Sequence, residues 1–162
     1  MTTPPDFTNN RHFYVDVPAQ KVRVITETGS LLWETDVSTS RYGLGEQEGS
    51  LRTPRGWFEV IEKVGEGAPL GAVFQSRVPT GVVWTPNSPI VSEDLVLTRI
   101  LWLRGLEPHN ANTQQRYIYF HGTNHESQIG TPGSHGCIRL RNADMIQLFD
   151  YASIGTRVFI LE

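Results

Sequence analysis

Apolar and polar residues alternate over several short stretches in the first part of the chain. The alternation runs over His12–Val17, Lys21–Thr26 and Leu31–Val37, and a Thr-Gly-Ser turn at 28–30 precedes the third stretch. A period of two residues is typical of β-strands with one buried face, and tight turns between such stretches favour hairpins. The pattern therefore predicts three early strands in an antiparallel meander.

Five further strands are predicted later in the chain, in stretches rich in β-branched and aromatic residues. They cover residues 57–64, 72–78, 95–103, 116–121 and 157–161. Fifteen Gly and ten Pro are scattered through the chain and cut it into short pieces, as expected where turns join strands. Most of the chain is therefore predicted to be β structure.

One segment follows the period of a helix instead. Its apolar residues recur at i, i+3, i+4 and i+7, at Met145, Leu148, Phe149 and Ala152. Asn142 is a suitable N-cap for this segment, and Gly155 can stop the helix. The sequence predicts a mainly β fold with one late α-helix, at about 142–152.

The 162 residues are enough for one compact domain. Residues 1–11 are polar and contain Pro, so we expect a flexible lead-in there, followed by a single domain over 12–162. The stretch from Gly122 to Gly136 is rich in Gly and is expected to be an irregular loop. Loops of that length in a compact domain are usually functional.

Charge and composition narrow the class of protein. The net charge is −3, and neither nucleic acid nor an anionic membrane surface is an expected partner, because both require concentrated Lys and Arg. Apolar residues make up 38% of the chain, yet no uncharged apolar run reaches the length of a membrane span. The first residues lack the basic start and apolar stretch of a secretory leader. We therefore expect a cytoplasmic protein, with a periplasmic location as the alternative if a leader was removed.

The only cysteine is Cys137, and four of the five histidines, His109, His121, His125 and His135, lie in the same part of the chain. A turn-rich segment precedes Cys137 and can present a thiol beside free backbone amides. A cysteine nucleophile needs a nearby base and fixed N–H donors for the oxyanion. The pattern is compatible with such a nucleophile.

Two other interpretations of these residues stand beside that one. Cys137 is equally well explained as a small buried apolar residue with the histidines in loops. A zinc site built from His121, His125, His135 and Cys137 is less favoured, because Gly and Asn make a helix at 121–125 doubtful. A single cysteine cannot form an intramolecular disulfide. We expect neither a metal nor a cofactor.

Two segments around these residues resemble a known family. Ser134-His-Gly-Cys-Ile-Arg-Leu140, with Tyr119-Phe-His-Gly-Thr123 before it, resembles the signature of the L,D-transpeptidase catalytic domain, the YkuD-type cysteine acyltransferases. Residues 37–40 and 53–58 are similar to two further family segments, although Ser40 stands where the family often has Gly. The resemblance runs from about residue 12 to the end and implies a single-domain β-sandwich or barrel.

The resemblance implies roles for individual residues. Cys137 would be the nucleophile, His121 its base, and the carbonyl of Gly122 would orient the imidazole. The amides of Gly136 and Cys137 would bind the oxyanion. Arg139 would either bind a substrate carboxylate or hold loop carbonyls, and both interpretations stay open.

The remaining residues near the predicted cleft have weaker assignments. Ser134 and His135 are candidates for substrate binding, although their turn-rich context equally suits a loop-shaping hydroxyl and a loop-holding ring. Nothing in the context of His109 and His125 distinguishes them from exposed loop residues.

The implied substrate is a peptidoglycan stem tetrapeptide, cleaved between the L-centre of meso-diaminopimelate and the terminal D-Ala. Without a leader in the sequence, we expect a cytoplasmic L,D-carboxypeptidase that trims muropeptides for peptidoglycan recycling. The alternatives are a periplasmic L,D-transpeptidase that forms 3-3 cross-links or exchanges D-amino acids, and a non-catalytic muropeptide-binding module. Carbapenem-type β-lactams are expected to acylate Cys137.

Overall fold

The computed structural model describes residues 11–162. Within these residues, ten strands and one α-helix follow one another: β1 (Arg11–Asp16), β2 (Lys21–Thr26), β3 (Leu31–Asp36), β4 (Gly56–Val64), β5 (Ala72–Gln75), β6 (Val78–Val83), β7 (Val96–Gly105), β8 (Tyr119–Gly122), β9 (Ile138–Leu140), α1 (Asn142–Tyr151) and β10 (Arg157–Leu161). Short 3-10 helices occupy Pro108–Asn110, Gln114–Arg116 and Glu126–Gln128. The predicted mainly β fold with one late helix is confirmed. The predicted lead-in lies outside the described residues, except that Arg11 already belongs to β1.

The strands form one sheet in the order β3-β2-β1-β10-β4-β7-β5-β6. The first three strands pair antiparallel in sequence order, so the predicted meander is confirmed. β10 inserts between β1 and β4, parallel to the former and antiparallel to the latter. The last strand of the chain therefore lies in the middle of the sheet.

The prediction of one strand over residues 72–78 was wrong. The structure breaks this stretch into the hairpin β5–β6, whose two loop residues, Ser76 and Arg77, both have positive φ. Two positive φ values are typical of a type I′ turn, which normally carries Asn or Gly. The Ser-Arg pair lacks that signature, so the turn could not be recognised in the sequence.

β8 and β9 branch from the main path of the sheet. β8 pairs antiparallel with β7 and parallel with the three-residue β9, which the sequence pattern did not predict. The connection between them runs over residues 123–137 and includes one of the 3-10 helices. These two short strands carry the segments that resemble the family signature.

Two apolar clusters lie on opposite faces of β7 and β8. The larger core contains Phe120 of β8 together with side chains of the meander, the helix and β10. The smaller cluster contains Tyr119 of β8, with Ile100, Phe74 and Ala72, and Cys137 packs against it. Successive residues of a strand point to opposite faces, so Cys137 lies on the face of β8 turned away from the main core.

The helix begins at Asn142, but Asn142 is not its cap. Arg141 holds the extended N-cap position, and Asn142 is the first helical residue. Its backbone N–H donates to the carboxylate of Glu126 at 2.8 Å, which places a negative charge at the positive end of the helix. The helix ends at Tyr151, four residues before Gly155, so the predicted stop at that glycine was also wrong.

Candidate active site

β8 and β9 place His121 and Cys137 on the same face of the sheet. Phe120 of β8 is in register with Ile138 of β9, so Cys137 stands beside Tyr119, and His121 follows two residues along the same face. Although His121 and Cys137 are sixteen positions apart in the sequence, they are therefore diagonal neighbours across two adjacent strands. In this arrangement an imidazole and a thiol can act on the same bound substrate.

The sulfur of Cys137 is held by backbone groups of the strand it lies beside. Its S–H donates to the carbonyl of Tyr117 at 3.3 Å, and the N–H of Tyr119 donates to the sulfur at 3.4 Å. Tyr117 adopts a left-handed conformation, with φ of 57°, at the end of the 3-10 helix Gln114–Arg116. Such a φ is uncommon outside glycine. In this conformation the Tyr117 carbonyl reaches the thiol.

Burial of the sulfur raises the pKa of Cys137 to about 12. The Tyr119 N–H opposes this shift, because it favours the thiolate, whereas the carboxylate of Asp94 adds to it. The free residue is therefore a thiol rather than a thiolate at neutral pH. A proton acceptor is needed before the sulfur can act as a nucleophile.

His121 is buried, with 2% of its surface exposed, and its Nδ1 lies 2.6 Å from the carbonyl oxygen of Gly122. A carbonyl can only accept, so Nδ1 carries the proton and Nε2 is left as the basic nitrogen. Burial lowers the pKa of His121, and the carboxylate of Asp94 partly offsets this. The ring is thus neutral and oriented, as a general base must be.

Gly122 is required by the space around it. A Cβ at this position would come within 2.2 Å of Asn142 Oδ1 and 2.8 Å of the Leu97 carbonyl. The side chain of Asn142 also accepts from Thr98 Oγ1 at 2.6 Å and donates to the carbonyl of Thr123 at 2.9 Å. The start of the helix is therefore pressed against the strand end that carries His121.

The turn before Cys137 is closed by Ser134. Its hydroxyl donates to the carbonyl of Cys137 at 2.6 Å and accepts the N–H of Gly136 at 3.2 Å. Gly136 has φ of 127°, a backbone conformation that other residues rarely adopt. Ser134 is fully buried, so this geometry favours the loop-shaping interpretation of its hydroxyl. For Gly136 to bind an oxyanion, its N–H would have to exchange the Ser134 bond for the substrate oxygen.

Arg139 lies beside His121 in register, and its guanidinium is only 1% exposed. One nitrogen donates to Ser38 Oγ at 2.7 Å and to Gln128 Oε1 at 2.8 Å, and another lies 3.4 Å from Asp94 Oδ1. Nε is buried without a hydrogen-bond partner among residues 11–162. This geometry favours the structural interpretation of Arg139 over direct contact with a substrate carboxylate.

The other histidines are separated by the structure. His135 is exposed beside Cys137 and its ring lies 6.0 Å from that of Tyr42. His125 and His109 contact backbone carbonyls of other loops, at Val91 and Arg55, each at 3.0 Å. Across residues 11–162, no three His, Cys, Asp or Glu side chains are grouped so that they could hold a metal ion.

Sequence reasoning missed Asp94 and Tyr117. Asp94 accepts from Thr123 Oγ1 at 3.0 Å, faces Arg139 and influences both titratable groups of the site. Tyr117 supplies the carbonyl that accepts a hydrogen bond from the Cys137 thiol. Neither residue belongs to a motif in the sequence, and only the folded chain brings them to Cys137.

Comparison with known proteins identifies the family of this chain. The model of the L,D-transpeptidase catalytic domain matches residues 10–160. The chain belongs to the L,D-transpeptidase catalytic domain family. The family signature on β8 and β9 therefore coincides with the only cysteine and with the histidine on the adjacent strand.

Individual relatives of this L,D-transpeptidase domain are distant. It is 29% identical over 132 residues to the probable L,D-transpeptidase ErfK/SrfK of Salmonella typhimurium, an alignment covering 74% of this chain and 36% of that protein. The chain thus spans about a third of the length of that relative.

Solved structures show the same fold. The L,D-transpeptidase of Xylanimonas cellulosilytica superposes with a TM-score of 0.61 at 21% identity, over 97% of this chain and 63% of that one. The L,D-transpeptidase 3 of Mycobacterium tuberculosis, in complex with a faropenem-derived adduct, gives 0.60 at 16% identity, over 94% and 60%. At such identities the likeness shows the fold alone.

No helix within residues 11–162 is long and apolar enough to cross a membrane.

Proposed function

We propose that this domain transfers an acyl group from a peptidoglycan stem tetrapeptide through a thioester on Cys137. The observation that carries the proposal is the position of Cys137 diagonally across from a buried, neutral His121, whose Nδ1–H is fixed by the Gly122 carbonyl. A neutral imidazole with a free Nε2 can take the thiol proton. The non-catalytic alternative would need neither the thiol nor this orientation of the ring.

In the first step the thiol turns from the Tyr117 carbonyl towards His121, and Nε2 takes its proton as the sulfur attacks the carbonyl carbon. The bond to the D-Ala nitrogen then breaks, and D-Ala leaves with the proton that Nε2 returns. The product is a thioester between Cys137 and the L-centre of diaminopimelate. The Cys137 amide, and the Gly136 amide once released by Ser134, stabilise the intermediate oxyanion.

The acceptor of this acyl group decides the activity. We propose water, which attacks the thioester while His121 again takes the proton, and the C–S bond breaks to restore the thiol. This keeps the sequence-based prediction of a cytoplasmic L,D-carboxypeptidase acting on soluble muropeptides. The relatives are named L,D-transpeptidases, and that name favours an amine as the second candidate acceptor.

Product analysis by mass spectrometry tests the proposal. Purified protein is given a defined stem tetrapeptide with and without an added D-amino acid. Hydrolysis predicts tripeptide and free D-Ala in both cases, whereas transpeptidation predicts the exchanged or cross-linked peptide. His121→Ala should retain the fold and lose activity, and Cys137→Ala should lose both activity and the covalent mass adduct formed with a carbapenem. An active Cys137→Ala protein would overturn the proposal.

A further inference from the structure

The β5–β6 hairpin delivers an arginine to an aromatic group beside the thiol. The guanidinium carbon of Arg77 lies 4.6 Å from the ring centroid of Trp102 and 5.2 Å from that of Tyr117. One of its nitrogens donates to the hydroxyl of Tyr119 at 2.8 Å. The Trp102 ring stacks on Tyr117 and meets Tyr119 edge-on. Arg77 is therefore oriented by three aromatic side chains.

The same two tyrosines hold the nucleophile. The carbonyl of Tyr117 accepts a hydrogen bond from the Cys137 thiol, and the N–H of Tyr119 donates one to the sulfur. Their rings extend from this point to the guanidinium. Arg77 thus contacts the side chains of the two residues whose backbone groups bond to the sulfur.

The carboxylate of Glu62 acts on the charge of Arg77 only through space, without an ion pair. No carboxylate within residues 11–162 forms an ion pair with it, whereas Arg55, Arg104 and Arg139 each face one. Its bond to Tyr119 is its sole hydrogen bond in that part of the chain, and its side chain is partly exposed. A guanidinium has five N–H donors, so most of the Arg77 donors are available to a ligand.

The turn that presents this guanidinium is strained. Ser76 and Arg77 have φ values of 48° and 65°, in the left-handed region that residues with a Cβ rarely adopt. Asn-Gly would form the same turn without that strain. Strain of this kind persists where the surrounding structure or a function maintains it.

We propose that Arg77 binds a carboxylate at the far end of the acyl donor's side chain and so selects donors that carry one. This inference rests on the proposed function. Guanidinium and carboxylate match in a paired, planar geometry. The Tyr119 hydroxyl accepts from Arg77 and can still donate its own proton to the same carboxylate.

The position of Arg77 decides which carboxylate fits. The carboxylate of the leaving D-Ala is one residue from the scissile bond and stays close to the sulfur. The side chain of diaminopimelate is long and ends in a carboxylate and an ammonium group. Its carboxylate can reach Arg77 and the Tyr119 hydroxyl beside it.

Two donors test the proposal. One tetrapeptide carries diaminopimelate with a free side-chain carboxylate, and the other carries the same residue with that carboxylate amidated. For the free donor, Arg77→Gln should lower kcat/KM by about tenfold to a hundredfold, as expected for a lost charged hydrogen bond. For the amidated donor, the wild-type protein should already show this loss, and Arg77→Gln should add little. Arg77→Lys should recover part of the preference for the free donor.

Arg104→Gln is the matched control, because Arg104 is an exposed arginine on the adjacent β7 that pairs with Glu59. It should leave the ratio of the two donors unchanged, and melting curves should show that all variants are folded. An equal loss with both donors, or a gain in rate, would mean that Arg77 only fastens the hairpin, and would overturn the proposal.

The two proposals fail in different ways. Wild-type protein that processes both donors with equal efficiency overturns the role of Arg77 and leaves the acyl transfer standing. Wild-type protein that releases D-Ala from neither donor and forms no carbapenem adduct overturns the proposed function, and the role of Arg77 with it.

Discussion

At Cys137, the protein holds its proposed nucleophile in the unreactive form. The S–H donates to the Tyr117 carbonyl, and burial raises the pKa to about 12. A high pKa protects the thiol from chance electrophiles, since the thiolate is the reactive species. In the proposed mechanism this proton passes to Nε2 of His121 as the sulfur attacks the carbonyl carbon of a bound substrate.

This state predicts the pH dependence of alkylation. Without substrate, the rate of iodoacetamide reaction with Cys137 should be slow at neutral pH and rise about tenfold per pH unit from pH 7 to 10, because the thiolate fraction rises in that proportion below the pKa. Intact-mass measurement over time gives the rate at each pH. N-acetylcysteine serves as the control and should level off above its ordinary pKa. A plateau for the protein near pH 8 would contradict the raised pKa.

The sequence could indicate which residues form the site, though not how they are bonded. The motif pointed to Cys137 and His121, and the structure places both on one face. Arg139 shows the limit of that reasoning, because its contacts come from residues about 100, 45 and 11 positions away in the chain. The motif includes Arg139, but it does not reveal that the guanidinium is buried among these distant residues.

At the level of elements, the start of α1 is tied to the site strands through Asn142. Its side chain joins Thr98 of β7 to the Thr123 carbonyl and also reaches the carboxylate of Glu126. Thr98 has φ of 75°, which is a genuine outlier for a β-branched residue. The bonds to Asn142 help to maintain this backbone shape next to Gly122.

Removing the side-chain amide of Asn142 should therefore destabilise the fold. Asn142→Ala leaves buried donors and acceptors unpaired and should lower the free energy of unfolding by about 2–3 kcal/mol. Urea denaturation measures the change. Gln147→Ala is the control, because Gln147 is exposed on the same helix, and it should shift stability by less than about 0.5 kcal/mol. Equal stability of both variants would show that the Asn142 network is not a structural tie.

Predictions for whole elements succeeded where periodicity was strong and failed where it was short. The meander and the helix have clear periods, so their existence could be predicted. The hairpin turn at Ser76 and Arg77 has no glycine to mark it, and β9 has only three residues. Both depend on tertiary contacts, which no local pattern contains. The division into a lead-in over 1–11 and a domain over 12–162 stays a prediction.

Across the whole molecule, the fold depends on its last strand. β10 is the strand between β1 and β4, and it joins the meander to the part of the sheet that carries the site. Ile160 pairs with Val15 of β1 and Gly56 of β4, and its side chain is 1% exposed in the main core. A change in this strand should affect both halves of the sheet.

Ile160→Ala should accordingly lower the free energy of unfolding by about 2–5 kcal/mol, the cost of a large-to-small change in a packed core. Leu161→Ala, one residue further and 39% exposed, should cost less than about 0.5 kcal/mol. Chemical denaturation followed by tryptophan fluorescence compares the two. If the Ile160 variant is as stable as the Leu161 variant, packing of β10 is not what holds the two halves of the sheet together.

The central position of β10 also sets the order of events during synthesis. Among the described strands β1 is made first, yet its parallel partner β10 is made last. Until β10 has emerged, one edge of the β1–β3 meander has no partner, and exposed strand edges are prone to pair with other chains. A growing chain can thus form its hairpins early, but the sheet that supports His121 and Cys137 closes only after β10 has emerged.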